Sequence, residues 1–209
     1  MAIIKSGATS DQLTIDPTSK AARVTLYDAA GREVSAQSKA AYAASGTFTP
    51  PATPTDMVTI AGSASKIVRV ISFFIATTNT AAGSQQFLLI KRSSANTAGT
   101  FVAATMVPYD STDAGATAVV GHYTANPTGL GTAVGTIKTI RAASPVAVPG
   151  SFAGVRENAG QDFLVDEVNS RVDRAITLRG IAQVLALNFA GAALVAGQTH
   201  AYSVVWTEE

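Results

Sequence analysis

The chain has 209 residues, a formal net charge of +1 and no cysteine, and only 14% of its residues are charged. The absence of cysteine excludes disulfides, thiolate metal sites and a cysteine nucleophile. A net charge near zero, without a basic stripe, argues against binding to nucleic acid or to an anionic membrane. Because 47% of the residues are hydrophobic and so few are charged, we predict a weakly hydrated surface that partner chains cover to a large extent.

The first 50 residues carry more charges than the rest. Residues 23–27 alternate like a strand and residues 28–31 form a turn, which predicts a small hairpin. Three prolines then fall within residues 49–55, where they favour extended backbone. This proline-rich segment is either an ordinary loop or a linker. We therefore divide the chain into an N-terminal attachment arm or small β unit, residues 1–48, and a body, residues 56–209.

The body reads as a series of short strands separated by Gly, Pro, Ser and Asn. Residues 36–44 are the best helix candidate, because they are rich in alanine, but the overall pattern predicts an all-β protein. About ten strands at roughly 8–12-residue spacing indicate a β-sandwich or jelly-roll-like body with an extended or hairpin arm. The predicted strands include residues 57–61, 67–76, 85–92, 101–109, 116–123, 136–141, 175–179, 183–189 and 199–207.

The longest apolar stretch, residues 181–196, is shorter than the roughly 20 residues of a transmembrane helix. We interpret it as two buried strands joined by a turn at residues 190–192. The N-terminus lacks the pattern of a secretory signal. In the last strand Tyr202, Val204 and Trp206 share one face, which predicts core packing, although with Phe189 they could instead form a sugar-binding platform.

No arrangement of residues predicts catalysis or metal binding. His122 and His200 have no metal-ligand spacing, and Ser63 lies outside any G-x-S-x-G motif. Asp110 and Asp113 could hold Ca²⁺, but a solvated turn is the simpler interpretation. The adjacent acids Asp166 and Glu167 would face opposite sides of a strand.

The glycines at 129, 131 and 135 resemble a dinucleotide-binding loop only superficially, because the third glycine falls one residue late and no helix follows. We expect a flexible surface loop there, or one ordered by a neighbouring chain. Tyr109 and Tyr123 are the aromatic residues expected on loops. No catalytic residue, cofactor-binding residue, metal ligand or cofactor is therefore predicted.

The opening, residues 1–28 (MAIIKSGATSDQLTIDPTSKAARVTLYD), the ending, residues 198–209 (QTHAYSVVWTEE), and the stretch TTNTAAGSQQF at 77–87 resemble tailed-phage virion structural proteins. The resemblance covers most of the chain and carries no catalytic motif. It implies a β-rich, usually oligomeric subunit on the outside of a phage particle.

These observations predict a non-enzymatic capsid decoration or cement subunit that stabilises the head by strand addition and apolar contacts. The expected partners are the major capsid protein or neighbouring copies, in a homo-oligomer such as a trimer, with no nucleic acid and no membrane. The expected location is the virion. The alternative is a head or tail fibre that binds a host-surface glycan. A glycan depolymerase is a third possibility, but acids are scarce after residue 50.

Overall fold

The computed structural model describes residues 39–78, 81, 83–144 and 175–209, together with the strand pairing of residues 14–15, 22–23 and 161–164. The chain forms two compact units, Met1–Lys39 and Ala40–Glu209. In the first unit, β1 (Thr14–Ile15) pairs antiparallel with β2 (Ala22–Arg23). Most of the hairpin predicted at residues 23–31 lies outside the described residues, as do Asp166 and Glu167.

The second unit is built from strands. Its described residues contain twelve: β3 Ala40–Phe48, β4 Asp56–Ala61, β5 Ile67–Thr78, β6 Gly83–Arg92, β7 Thr100–Ala103, β8 Met106–Pro108, β9 Val119–Ala125, β10 Ala133–Ser144, β11 Gln161–Leu164, β12 Ile176–Arg179, β13 Val184–Asn188 and β14 Thr199–Glu208.

These strands form two antiparallel sheets packed face to face, so the predicted all-β sandwich is confirmed. The first sheet has the order β10-β6-β13-β4-β9-β7. The second has the order β11-β5-β14-β3-β8, and β12 also pairs with β5. No helix that could cross a membrane occurs among the described residues. The alanines at 40–44, which belong to the helix candidate, lie in β3, because pairing with β14 outweighs their intrinsic helix propensity.

The core lies between the two sheets. Every second residue of β14 points into it: Tyr202, Val204 and Trp206 are buried, as the alternation along this strand predicts. The Trp206 ring stacks on Tyr42 of the neighbouring strand β3, with 5.8 Å between centroids. Phe189 is also fully buried. The idea that these C-terminal aromatics form a sugar platform is therefore wrong, since they are core residues.

The prediction of two strands within residues 181–196 is half right. β13 ends at Asn188, whose side-chain oxygen accepts a hydrogen bond from the Ala190 amide at 2.7 Å. Ala190 and Gly191 then adopt positive φ angles of 60° and 64°, so the chain turns out of the sheet. The residues from 192 to 198 run as a loop into β14, and no second strand forms before Thr199.

The proline-rich segment is a loop of the body, not a linker. Two hydrogen bonds connect it to Asn126. The Asn126 side chain accepts one from the Thr55 amide at 3.0 Å and donates one to the Thr53 carbonyl at 2.9 Å. The Phe189 amide donates to the Thr55 carbonyl at 2.9 Å. The compact body begins at Ala40, and residues 40–48, which the sequence pattern assigns to the arm, form a strand of the second sheet.

This boundary gives a prediction about truncation. Removal of residues 1–38 should leave a cooperatively folding body, because those residues belong to a separate compact unit. Removal of residues 1–48 should abolish folding, because it also deletes β3 with its buried Tyr42 and Phe48 and leaves one edge of β14 unpaired. Far-UV circular dichroism during thermal unfolding compares the two. A cooperative transition in the longer deletion would contradict the assignment of β3.

Candidate interaction surface

The exposed apolar residues of the described surface are concentrated in one part of the chain. Residues 93–137, which we call the charge-poor segment, contain only two charged residues, Asp110 and Asp113, where an average soluble sequence of that length carries about 11. Of the nine exposed large hydrophobic residues described, eight lie in this segment and one, Ile181, lies outside it. The eight are Phe101, Val102, Val107, Tyr109, Val119, Leu130, Val134 and Ile137.

The charge-poor segment contributes strands to the margins of both sheets. β7 ends the first sheet and β8 ends the second. Only two residues, Ala104 and Thr105, connect these strands, so both lie on one side of the sandwich. The start of β10 lies at the opposite margin of the first sheet. An unpaired strand edge with apolar side chains is a common site of protein association.

A buried ion pair holds the segment's loops on the outer face of the first sheet. Arg92 on β6 forms a bidentate ion pair with Asp56 on β4, with Nε–Oδ2 at 2.5 Å and Nη2–Oδ1 at 2.7 Å. Both residues are buried. Since β13 lies between β6 and β4, the arginine side chain crosses over one face of β13. That face is the outer one, because Leu185 and Leu187, on the other face, belong to the core.

The remaining polar groups of this ion pair form hydrogen bonds with two loops and with the end of β13. Asn96 donates to Asp56 Oδ2 at 2.9 Å, and Asn188 donates to Asp56 Oδ1 at 2.7 Å. Arg92 Nη1 donates to the Gly131 carbonyl at 2.7 Å, and the Gly131 amide donates to the Asn96 side-chain oxygen at 2.9 Å. The loop 93–99 and the loop 126–132 are thus joined to one buried charge pair.

The glycine-rich stretch at 129–135 lies largely at the surface, as predicted, but hydrogen bonds at Gly129 and Gly131 fix part of it in place. Gly131 is buried, and a Cβ at this position would overlap the Ser94 carbonyl oxygen. The Gly129 and Thr97 backbones pair with each other. Residues 133–135 belong to β10. Glycine is required at 131 because two backbones approach closely there, rather than for flexibility.

A small pocket opens beside these loops on the outer face of the first sheet. It has a volume of about 140 Å³, and its lining is mostly apolar. The rings of Phe101 and Tyr123 lie 5.1 Å apart at one side, and Val119 forms part of the exposed rim. The complete lining is Thr59, Ala61, Ala95, Asn96, Phe101, Val119, Tyr123 and Val184.

A second buried carboxylate, Glu208, stabilises the other sheet. It accepts hydrogen bonds from the Thr117 and Ala118 amides, each at 2.9 Å, from the Thr117 hydroxyl at 2.6 Å and from Trp206 Nε1 at 3.0 Å. Burial alone would raise the pKa of Glu208, but these hydrogen bonds outweigh it and hold the pKa below its usual value. A buried carboxylate saturated with donors is a poor general base, so its role is structural.

Ser63 belongs to this same cluster. Its Oγ lies 2.7 Å from the Thr117 hydroxyl and accepts hydrogen bonds from the Ser65 and Lys66 amides at 3.1 Å. Ser63 is only 1% exposed. A substrate could not reach this hydroxyl, which stabilises a turn, as its sequence context predicts.

The two histidines lie on either side of Phe48, with ring centroids at 5.2 Å (His122) and 5.4 Å (His200). His122 Nδ1 lies 3.3 Å from the Tyr202 hydroxyl, and His200 Nδ1 lies 2.9 Å from the Thr77 hydroxyl. Burial lowers the pKa of both rings, and that of His200 to about 3. Both are packing residues of the sandwich interior.

The Asp110 turn is the solvated turn that we preferred to a calcium site. Its carboxylate accepts hydrogen bonds from the Thr112 amide at 2.9 Å and hydroxyl at 2.7 Å. Within the part of the chain that the structure describes, no three acidic, histidine or cysteine residues form a metal-binding group. Tyr109 is 66% exposed, whereas Tyr123 packs against Phe101 and is only 8% exposed.

Comparisons with protein-family models, with curated proteins and with solved structures found no match. Sequence reasoning missed Asp56, Arg92 and Glu208. Their positions in the sequence could have indicated them. A charged residue inside or next to a strand is unusual in a chain with so few charges, and it indicates a buried ion pair. The identity of each partner depends on the sheet register, which the sequence pattern does not provide.

The low pKa of His200 predicts acid sensitivity. In the folded protein the ring stays neutral down to about pH 3, whereas in the unfolded chain it binds a proton below about pH 6.5. The contribution of His200 to the free energy of unfolding should therefore be constant above about pH 6.5. Below that pH it should fall by up to about 1.4 kcal/mol per pH unit. Urea unfolding between pH 7 and 5 measures this slope, above the range in which most carboxyls titrate.

The His200→Asn variant can keep a polar atom near Thr77 but cannot titrate, so its slope should flatten. The matched variant His122→Asn should keep the larger part of the wild-type slope, because its ring is the less buried of the two. An unchanged slope in His200→Asn would show that His200 is not the titrating group.

Proposed function

We propose that this chain is a non-enzymatic structural protein of a phage virion, and specifically a capsid decoration or cement subunit. It binds and stabilises the head through apolar contacts and strand addition at its sheet margins, and its partners are the major capsid protein or neighbouring copies in a homo-oligomer. The observation that carries the proposal is the charge-poor segment, where eight of the nine described exposed large hydrophobic residues lie. Such a surface favours association with protein.

The strand order supports assigning the sandwich as a jelly roll. Four strands of the second sheet, in the order β12-β5-β14-β3, face four of the first, in the order β10-β6-β13-β4. Successive strands of this set alternate between the sheets, apart from β6 and β10, which are neighbours in one sheet. We infer two interlocked Greek keys, with β7, β8 and β9 inserted between β6 and β10. Jelly rolls recur in viral capsid and lectin domains.

The lectin-like alternative, a head or tail fibre that binds a host-surface glycan, has weaker support. A sugar site needs exposed aromatic faces and polar groups able to bind hydroxyls. In the pocket beside Phe101, both the amide group and the side-chain oxygen of Asn96 are already bonded, to Asp56 and Gly131. Tyr123 is largely covered. The pocket is better suited to an apolar side chain than to a sugar.

An enzymatic role also has weaker support. A glycosidase-type mechanism needs two carboxyl groups that flank an accessible bond. Asp56 and Glu208 are buried and fully engaged by hydrogen-bond donors. Asp110 is held in a surface turn. These carboxylates stabilise loops and turns, which fits a structural protein.

The number of copies per particle tests the proposal. Phage particles purified from the source culture are analysed by quantitative mass spectrometry, with the major capsid protein as the internal reference. A copy number comparable to that of the capsid protein is expected for a decoration subunit. A number far smaller would favour the fibre alternative over decoration. Absence from purified particles would contradict both.

A further inference from the structure

The two margins of the first sheet differ in their side chains. The β7 margin, together with β8, presents Phe101, Val102, Val107 and Tyr109. The opposite margin, β10, presents Val134, which is 64% exposed, and Ile137, which is 48% exposed. Because β7 and β10 are the two outermost strands of a six-stranded sheet, these apolar groups lie at opposite margins, and one molecule cannot cover one group with the other.

The β7 strand carries no charge, but the loop that follows β8 on the same side of the sandwich and the β10 strand carry charges of opposite sign. The charged residues between β7 and β9 are Asp110 and Asp113, both acidic, whereas those on β10 are Lys138 and Arg141, both basic. A contact between two identical margins would bring like charges together, which is unfavourable. A contact between the β7 margin of one molecule and the β10 margin of another brings opposite charges together across an apolar patch.

The shapes of the two margins are also complementary. The pairing of β10 with β6 is interrupted at Val134 and again at Ile137, where each residue is the extra one of a β-bulge. Bulges of this kind turn side chains out of the regular ladder. The apolar pocket of about 140 Å³ lies on the outer face of the first sheet and extends from β13 and β4 to the β7 margin at Phe101, with Val119 on its rim. A cavity of about 150 Å³ is large enough to hold benzene, so this pocket can receive a valine or isoleucine side chain.

We propose that copies of this chain associate head to tail, with Val134 and Ile137 on β10 of one copy packed against the pocket and the β7 margin of the next. The occupant of this surface is a second copy of the chain, because the same molecule supplies both the protruding apolar residues and the charge of opposite sign. The contact is heterologous, so a copy bound through one margin keeps its other margin available for a further copy. This inference does not depend on the proposed virion function.

The experiment compares three single variants of the full chain by sedimentation velocity over a range of concentrations. Val134→Asp changes the β10 margin, and Val119→Asp changes the rim of the pocket. Ile181→Asp is the control, because Ile181 is 66% exposed and lies outside the charge-poor segment. Thermal unfolding followed by circular dichroism verifies that each variant is folded.

Wild type and Ile181→Asp should form species larger than the monomer. Val134→Asp and Val119→Asp should each weaken association by roughly tenfold or more, because a carboxylate would be buried in an apolar contact. An equimolar mixture of these two variants is the decisive sample. Each retains one intact margin, so the mixture should form one-to-one dimers and nothing larger.

A monomeric wild type at all concentrations would overturn the inference. So would full assembly of either margin variant, which would indicate a contact between identical margins, and so would a mixture that stays monomeric. None of these results bears on whether the chain occurs in phage particles, so failure of this inference and failure of the proposed function are distinguishable.

Discussion

The Asp56–Arg92 ion pair is the interaction on which the outer face of the first sheet depends. It is buried, and burial of two charges is costly unless every donor and acceptor finds a partner. Here two loops and one strand supply those partners: Asn96 and Gly131 from the loops, and Asn188 from the end of β13. Because removal of one ion of such a pair costs roughly 3–5 kcal/mol, the loops are held where the charges require them. The pocket beside Phe101 is a consequence of that placement.

The charged residues of the described body are unevenly distributed between the interior and the surface. Asp56, Arg92 and Glu208 are buried, where they stabilise loops, turns and strand ends. The surface around β7, β8 and the start of β10 retains few charges and most of the exposed apolar side chains described. A margin of this composition is poorly hydrated and favours contact with protein. The proposed structural role and the proposed head-to-tail contact both draw on this distribution, but each can be tested without the other.

The sequence predicts the parts of the fold that depend on local pattern. The alternation of Tyr202, Val204 and Trp206 identifies a core face correctly, and the spacing of strands and turns identifies an all-β sandwich. It does not predict pairings between distant residues. β3 looks like part of an arm because its partner β14 lies about 160 residues further on, and Arg92 lies 36 residues from Asp56. A proline-rich loop looks like a linker until Asn126, 71 residues away, is seen to bind it.

Hydrogen–deuterium exchange of the loops tests most directly the claim that the ion pair holds the outer face. The Arg92→Lys variant keeps the positive charge but lacks the planar guanidinium group, which donates to Asp56 and to Gly131 at the same time. We expect faster exchange at residues 93–99 and 126–132, with protection in β14 unchanged. Arg141→Lys, an exposed arginine on β10, serves as the control and should leave exchange unaltered. Loop exchange in Arg92→Lys equal to that of the wild type would contradict the account.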